Sequence, residues 1–355
     1  MMRTSIPSML LGSCLAMLPW SVTAAPTPDP EAQKLADPTY GPIPGQSTLF
    51  SDYKGKAPPF PSNITAPILP TASGDSGPDD QVWQNLLAAE WAIFSFYQQG
   101  VEAFNTSSFV AAGFPNTTCN RITEIRNNEA GHLRIFQNQI SNTSVKPGSS
   151  KYEYPFVDAT SFLALTTYLE VASMVFLTGL VQEPKSEAAH GAMVAIATVR
   201  LRHETWSLLD VWGANPFSGP SDTVFPYANE ILDLTNAFIA PERCSSANPE
   251  YPIPNKHLPA MSAATGTKSI APVFDDGKSY YAVFFHTVGN TSVSVDVSGW
   301  ESGDLVNVTI PAEFETKGII MAVLADCPGA PELDTVVAGL SILLQQPAPI
   351  GLLLA

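Results

Sequence analysis

The four residues Glu129-Ala130-Gly131-His132 place a carboxylate and an imidazole three positions apart. Around them Ile122, Ile125, Leu133, Phe136 and Ile140 recur at helical spacing. The acid and the imidazole therefore share the face that turns toward a core. A carboxylate in an apolar stripe is costly unless a partner neutralises it. A metal ion is one such partner, and a Glu-x-x-His step on a helix is the unit from which each half of a bundle-type dimetal site is built. Other helices must then supply the remaining ligands, which restricts the fold to one that gathers several helices around a polar centre.

The periodicity predicts those helices. The first runs over Asp79–Phe104, with Asp79 and Asp80 favouring its N-terminus. The second covers about Asn120–Ile140, the third about Asp158–Val181, and the fourth about Glu187–Trp212, stopped by Gly213. A weaker helix over Tyr227–Ala240 closes the region. On the first helix Trp83, Leu87, Glu90, Phe94, Tyr97 and Val101 share a face on which Glu90 is the sole acid. Tyr97, two turns from Glu90, reads first as core packing and second as a group that could approach a metal or an oxidant. On the third, Leu163, Thr166, Glu170, Met174 and Leu177 share a face, again with one acid. The fourth contributes His203, with Met193, Ile196, Ala197 and Arg200 on the same face. The candidate metal ligands are thus Glu90, Glu129, His132, Glu170 and His203.

From Cys244 the texture changes. Tyr280–Val288, Ser292–Val297, Leu305–Ile310, Gly318–Leu324 and Thr335–Leu344 are short runs rich in Val, Ile, Phe and Thr, separated by turn residues. They predict a small antiparallel β-sandwich-like C-terminal region. The fold class is α+β, multidomain: a four-helix bundle over 79–243 followed by a β-rich domain over 244–355. Residues 25–78 are rich in Pro, Ser and Gly, with runs such as Pro26-Thr27-Pro28-Asp29-Pro30 that exclude a helix, and read as an arm or linker.

The start of the chain has the form of a secretory signal peptide over 1–24. Arg3 is followed by an apolar stretch from Met9 to Leu18 and by the small-residue site Val22-Thr23-Ala24. The apolar run is too short for a membrane anchor. Six sequons agree with an extracellular route: Asn63, Asn105, Asn116, Asn142, Asn290 and Asn307. Once Cys14 leaves with the signal, Cys119, Cys244 and Cys327 remain. In an oxidising compartment they imply one disulfide and one thiol, or an intermolecular pair. Cys119 with Cys244, which flank the helical region, is the first choice. The chain carries 17 basic and 33 acidic residues. That balance argues against nucleic acid and anionic membranes as partners.

The region from about Gln81 to Pro241 resembles the ferritin-like domain of secreted fungal proteins associated with stress response and late sexual development. The Glu/His pattern carries the resemblance together with Gly213-Ala214-Asn215-Pro216-Phe217 through Thr223 and Tyr227-Ala228-Asn229-Glu230-Ile231. It implies a ferritin-like bundle with an iron or manganese centre. One position departs. The family pattern on the fourth helix reads Glu-x-Arg-His, whereas this chain reads Arg200-Leu201-Arg202-His203. A guanidinium cannot ligate a metal and stays protonated. In one arrangement Arg200 pairs with Glu90 or Glu170 and replaces a metal's charge. In another Glu204 turns inward as a substitute ligand and leaves a mononuclear or altered site. Glu204 also has the spacing to pair with Arg200 on the helix surface. The functional expectation is a carboxylate-bridged metal oxidase acting on a small organic molecule. Its competitor is a non-catalytic stress- or development-associated protein, without cofactor, whose bundle has lost the metal.

Overall fold

The computed structural model describes residues 65–214, 216, 225–240, 248–259, 274–275, 277–286, 289–301, 308, 310–312 and 319–344. The expected signal peptide, nearly all of the proline-rich arm, Asn63, Asn307, Cys244 and most of the Asn-Pro-Phe segment lie outside these residues.

Four long helices form the bundle: α1 (Asp80–Ala103), α3 (Thr118–Gln139), α4 (Ala159–Leu180) and α5 (Glu187–Trp206). A short α2 (Thr106–Ala111) stands between the first two and was not expected. Its N-cap is Asn105, whose side chain accepts from the Ser108 amide at 3.0 Å while the Ser108 hydroxyl returns to the Asn105 amide. A reciprocal box of this kind satisfies two orphan donors and fixes a helix start. Asp158 and Ser161 build the same device at the start of α4. The acids at the start of α1 reach outward instead. The Asp79 carboxylate accepts from the amides of Lys185 (2.7 Å) and Ser186 (3.2 Å), where α5 begins. The Asp80 carboxylate accepts from the Ser141 amide just past α3 (2.9 Å) and from Gly77 (2.7 Å).

The helices pair as two hairpins. α1 lies along α3, and α4 along α5. The hairpins pack tightly at Gly100, where an added Cβ would lie 2.2 Å from the Phe162 ring. Phe96 stacks on that ring with centroids 4.6 Å apart, and Phe104, Phe109 and Phe156 complete an aromatic end. α4 is long and apolar enough to cross a membrane by length and composition, and is largely buried inside the protein. The expected fourth helix ends earlier than Trp212. At Ser207–Val211 the backbone changes to a π-helical turn, so residues past Trp206 rotate relative to an ideal helix. The weaker closing helix is α6 (Ala228–Asp233) followed by a 3₁₀ segment, Leu234–Phe238.

Among the described residues the C-terminal region forms one four-stranded antiparallel sheet in the order β2-β1-β3-β4: β1 (Tyr280–His286), β2 (Gly289–Val295), β3 (Ile319–Ala325) and β4 (Val336–Leu344). One face, including Val283, Met321, Val323 and Leu340, joins the core that the bundle forms. The other, including Tyr280, Ala282, Phe284 and Leu324, packs with Phe274, Val293 and Trp300. Among the described residues, helices cover the inner face of the sheet. Of the expected strand Leu305–Ile310, residues 305–307 and 309 lie outside the described residues, and Val308 and Ile310 belong to no strand. A strap at 248–259 ties sheet to bundle. Asn85 exchanges two hydrogen bonds with the Ile253 backbone, and the Lys256 ammonium donates to the carbonyls of Leu333, Asp334 and Val336.

Both described cysteines, Cys119 and Cys327, carry free thiols; Cys244, the expected partner of Cys119, lies outside the described residues. The four described sequon asparagines, Asn105, Asn116, Asn142 and Asn290, are exposed, as glycan attachment requires.

Candidate metal centre

Each of the four long helices sends polar side chains to the seam between the hairpins. α1 brings Glu90, α3 brings Glu129 and His132, α4 brings Glu170, and α5 brings Arg200, His203 and Glu204. Glu90, Glu129, Glu170 and Arg200 have no solvent exposure. All five ligands predicted from sequence converge here. They form two overlapping groups, Glu90–Glu129–His132 and Glu129–Glu170–His203, each with ligand atoms within 4.8 Å of one another. Glu129 belongs to both.

That arrangement is the one a dinuclear site needs, with a shared carboxylate at its centre. Residues 78–208 match the family model of the ferritin-like domain. No curated protein matches the chain. Within the ferritin-like domain, Arg200 decides what the centre can hold. Its Nη2 hydrogen-bonds Glu90 Oε2 and lies 2.8 Å from Glu129 Oε2, and its Nη1 lies 3.8 Å from Glu170 Oε2. His132 Nδ1 lies 3.1 Å from Glu129 Oε2. The Glu90–Glu129–His132 group is thus partly taken up by protein partners: Glu90 Oε2 and Glu129 Oε2 are engaged, while Glu90 Oε1 and Glu129 Oε1 have no hydrogen-bond partner.

The other group is not. Glu129 Oε1, Glu170 Oε2 and His203 Nδ1 are all buried without a hydrogen-bond partner. His203 Nδ1 lies 3.3 Å from Glu129 Oε1 and 3.4 Å from Glu170 Oε1, and Glu170 Oε1 accepts from the Tyr97 hydroxyl. Buried orphaned donors and acceptors are rare and demand an explanation. Two carboxylates and an imidazole converging on one point fit a divalent cation.

Glu204 does not pair with Arg200 on the helix surface. It is buried, and its Oε2 also has no partner. Burial, and then the charge of Glu170, raise its carboxyl to about 7. Asn128 carries a role that sequence reasoning missed, and Tyr97 takes a place at the site rather than in the core alone. The Asn128 amide meets His203 Nε2 at 3.1 Å, and the Tyr97 hydroxyl holds the Glu170 carboxylate. For Tyr97 a signal existed, since it lies two turns from Glu90 on one stripe.

The electrostatics follow from burial of opposite charges. Burial alone would raise the Glu129 carboxyl, but Arg200 and His132 outweigh it and hold Glu129 well below the usual range. Burial raises Glu90 to about 7 against the pull of Arg200. Burial would depress His203, but Glu170 and Glu129 lift it to about 9. Metal-free protein should therefore lose stability with rising pH. The Glu90 contribution is complete below its unfolded value of 4.5 and is lost through about 7. That of His203 is complete below 6.5 and is lost through about 9. The melting temperature in chelator should fall between pH 5 and pH 9 as followed by circular dichroism. A flat or rising profile would show that these groups are not buried in the charged cluster.

Proposed function

We propose that the ferritin-like domain binds a single iron or manganese ion on Glu129, Glu170 and His203, while Arg200 fixes the charge of the other half of the centre. The supporting observation is the division between satisfied and orphaned atoms. The guanidinium engages Glu90 Oε2 and Glu129 Oε2 and leaves one unpartnered carboxylate oxygen, Oε1, on Glu90, whereas Glu129 Oε1, Glu170 Oε2 and His203 Nδ1 are unpartnered together on the Glu170 side. With Glu90 ionised and both imidazoles neutral, three carboxylates against one guanidinium leave two negative charges, which one divalent ion offsets. Glu204 is the further carboxylate at hand as a substitute ligand.

Iron or manganese held there would supply one-electron redox chemistry toward oxygen or a peroxide, directed at a small organic molecule. The protein's own part is positioning. Tyr97 holds the Glu170 carboxylate by its hydrogen bond to Oε1 and leaves Oε2 unpartnered. Ligation through Nδ1 of His203 puts its proton on Nε2, which the Asn128 amide oxygen accepts once the amide is turned. The aromatic end and the apolar stripes of α1 and α4 keep water away. A second reading is favoured by the Arg200–Glu90 bond itself: a salt-bridged, metal-free scaffold of the stress- or development-associated kind. We read the protein in either case as a secreted glycoprotein, without nucleic-acid or membrane partners, on its signal-like start and exposed sequons.

Metal content of the full chain, measured by mass spectrometry after anaerobic loading with ferrous or manganous ion, separates the two readings. About one ion per chain is the expected result. No retained metal would leave the scaffold.

A further inference from the structure

α3 and α5 make few backbone contacts with each other, and between them opens a cleft of about 570 Å³. Ligand pockets for small organic molecules fall in the range of ~300–1,000 Å³. The cleft ends on the metal centre, because His203, itself only 6% exposed, is part of its lining. Asn128, which holds the outer nitrogen of His203, lines it too.

Three other lining side chains give the cleft its chemistry. Trp206, half-buried, lies one turn beyond His203 on α5 and offers an aromatic wall. Arg202 is next to His203 in the chain, and neither it nor Asp210 is within 4.0 Å of an opposite charge among the described residues. Arg121 is not free in the same sense, since Glu124 pairs with it at 2.5 Å. The unengaged cation is therefore near the metal ligand. The unengaged acid, Asp210, lies eight residues further along, roughly 12 Å at helical rise.

We propose that this cleft binds an aromatic carboxylate, with its ring against Trp206 and its carboxylate on Arg202, beside His203. The proposal names a substrate class for the metal centre and rests on the single-ion reading for that role. Binding itself does not require the ion.

The test is calorimetric titration of the full chain with benzoate, beside phenethylammonium as the aromatic cation and cyclohexanecarboxylate as the non-aromatic acid. Metal content is measured on the same samples. Benzoate should bind best of the three. Arg202→Gln should weaken it about tenfold or more, as loss of a charge-assisted hydrogen bond does, and Trp206→Leu about fivefold. Arg202 is exposed and Trp206 half-buried, and unchanged circular dichroism of each variant establishes that it is folded. Benzoate binding that is absent, or equal in Arg202→Gln, overturns the proposal, as does stronger binding of the cation. Protein that binds benzoate but retains no metal sinks the single-ion reading and leaves the cleft assignment standing. Protein that retains metal but ignores benzoate does the reverse.

Discussion

Arg200→Glu raises the metal content of the loaded protein from about one ion per chain to about two, because it restores the second bridging carboxylate of a dinuclear bundle site. The guanidinium now bonded to Glu90 and 2.8 Å from Glu129 disappears, and its place is taken by a group that attracts a cation. The same substitution should make the protein depend on metal for its stability. In chelator, four buried carboxylates would face one another with only the imidazoles to answer them. Leaving buried charge uncompensated costs ~3–5 kcal/mol. Urea unfolding in chelator, compared with unfolding after loading, reads both effects. Unchanged metal content together with an unchanged midpoint would show that Arg200 is not the cation of this centre.

Glu129→Gln is expected to abolish metal retention and to destabilise the metal-free protein by ~3–5 kcal/mol. Glu129 is the one carboxylate common to both ligand groups, and it faces Arg200, His132 and His203 together. The amide keeps the shape but removes the charge that these three cations share. Glu204→Gln is the matched control. Its carboxyl, raised to about 7, is already largely neutral near pH 6, so stability there should change by under ~1 kcal/mol. A Glu129→Gln protein as stable and as metal-rich as its parent would remove Glu129 from the centre.

The bundle was legible in the sequence because single acids interrupt otherwise apolar stripes. Glu90 and Glu170 stand out on α1 and α4 for that reason, and helix ends were placed to within a few residues where the stripe stops. Arg200 was legible as an intruder, but its partners were not. One-dimensional spacing offers Glu90, Glu170 or Glu204 equally, and only the crossing of four helices selects Glu90 and adds Glu129. The π turn at Ser207–Val211 escaped because apolar residues continue through it. The short α2 escaped because Asn105 reads as a sequon before it reads as a cap. The C-terminal sheet was legible from its alternation, which predicts a buried face without naming what buries it; among the described residues the bundle's core meets the inner face.

The acid pair at the start of α1 has a mechanical consequence. Asp79 grips the beginning of α5 and Asp80 the turn after α3, so three helices are fastened at one end of the bundle. The cleft lies at the opposite end, where α3 begins and α5 finishes in its π turn. Breathing of the bundle then resembles a book bound along one edge. The amides near Asp80 and Ser141 stay protected from hydrogen exchange, while those around Glu124 and Trp206 exchange first.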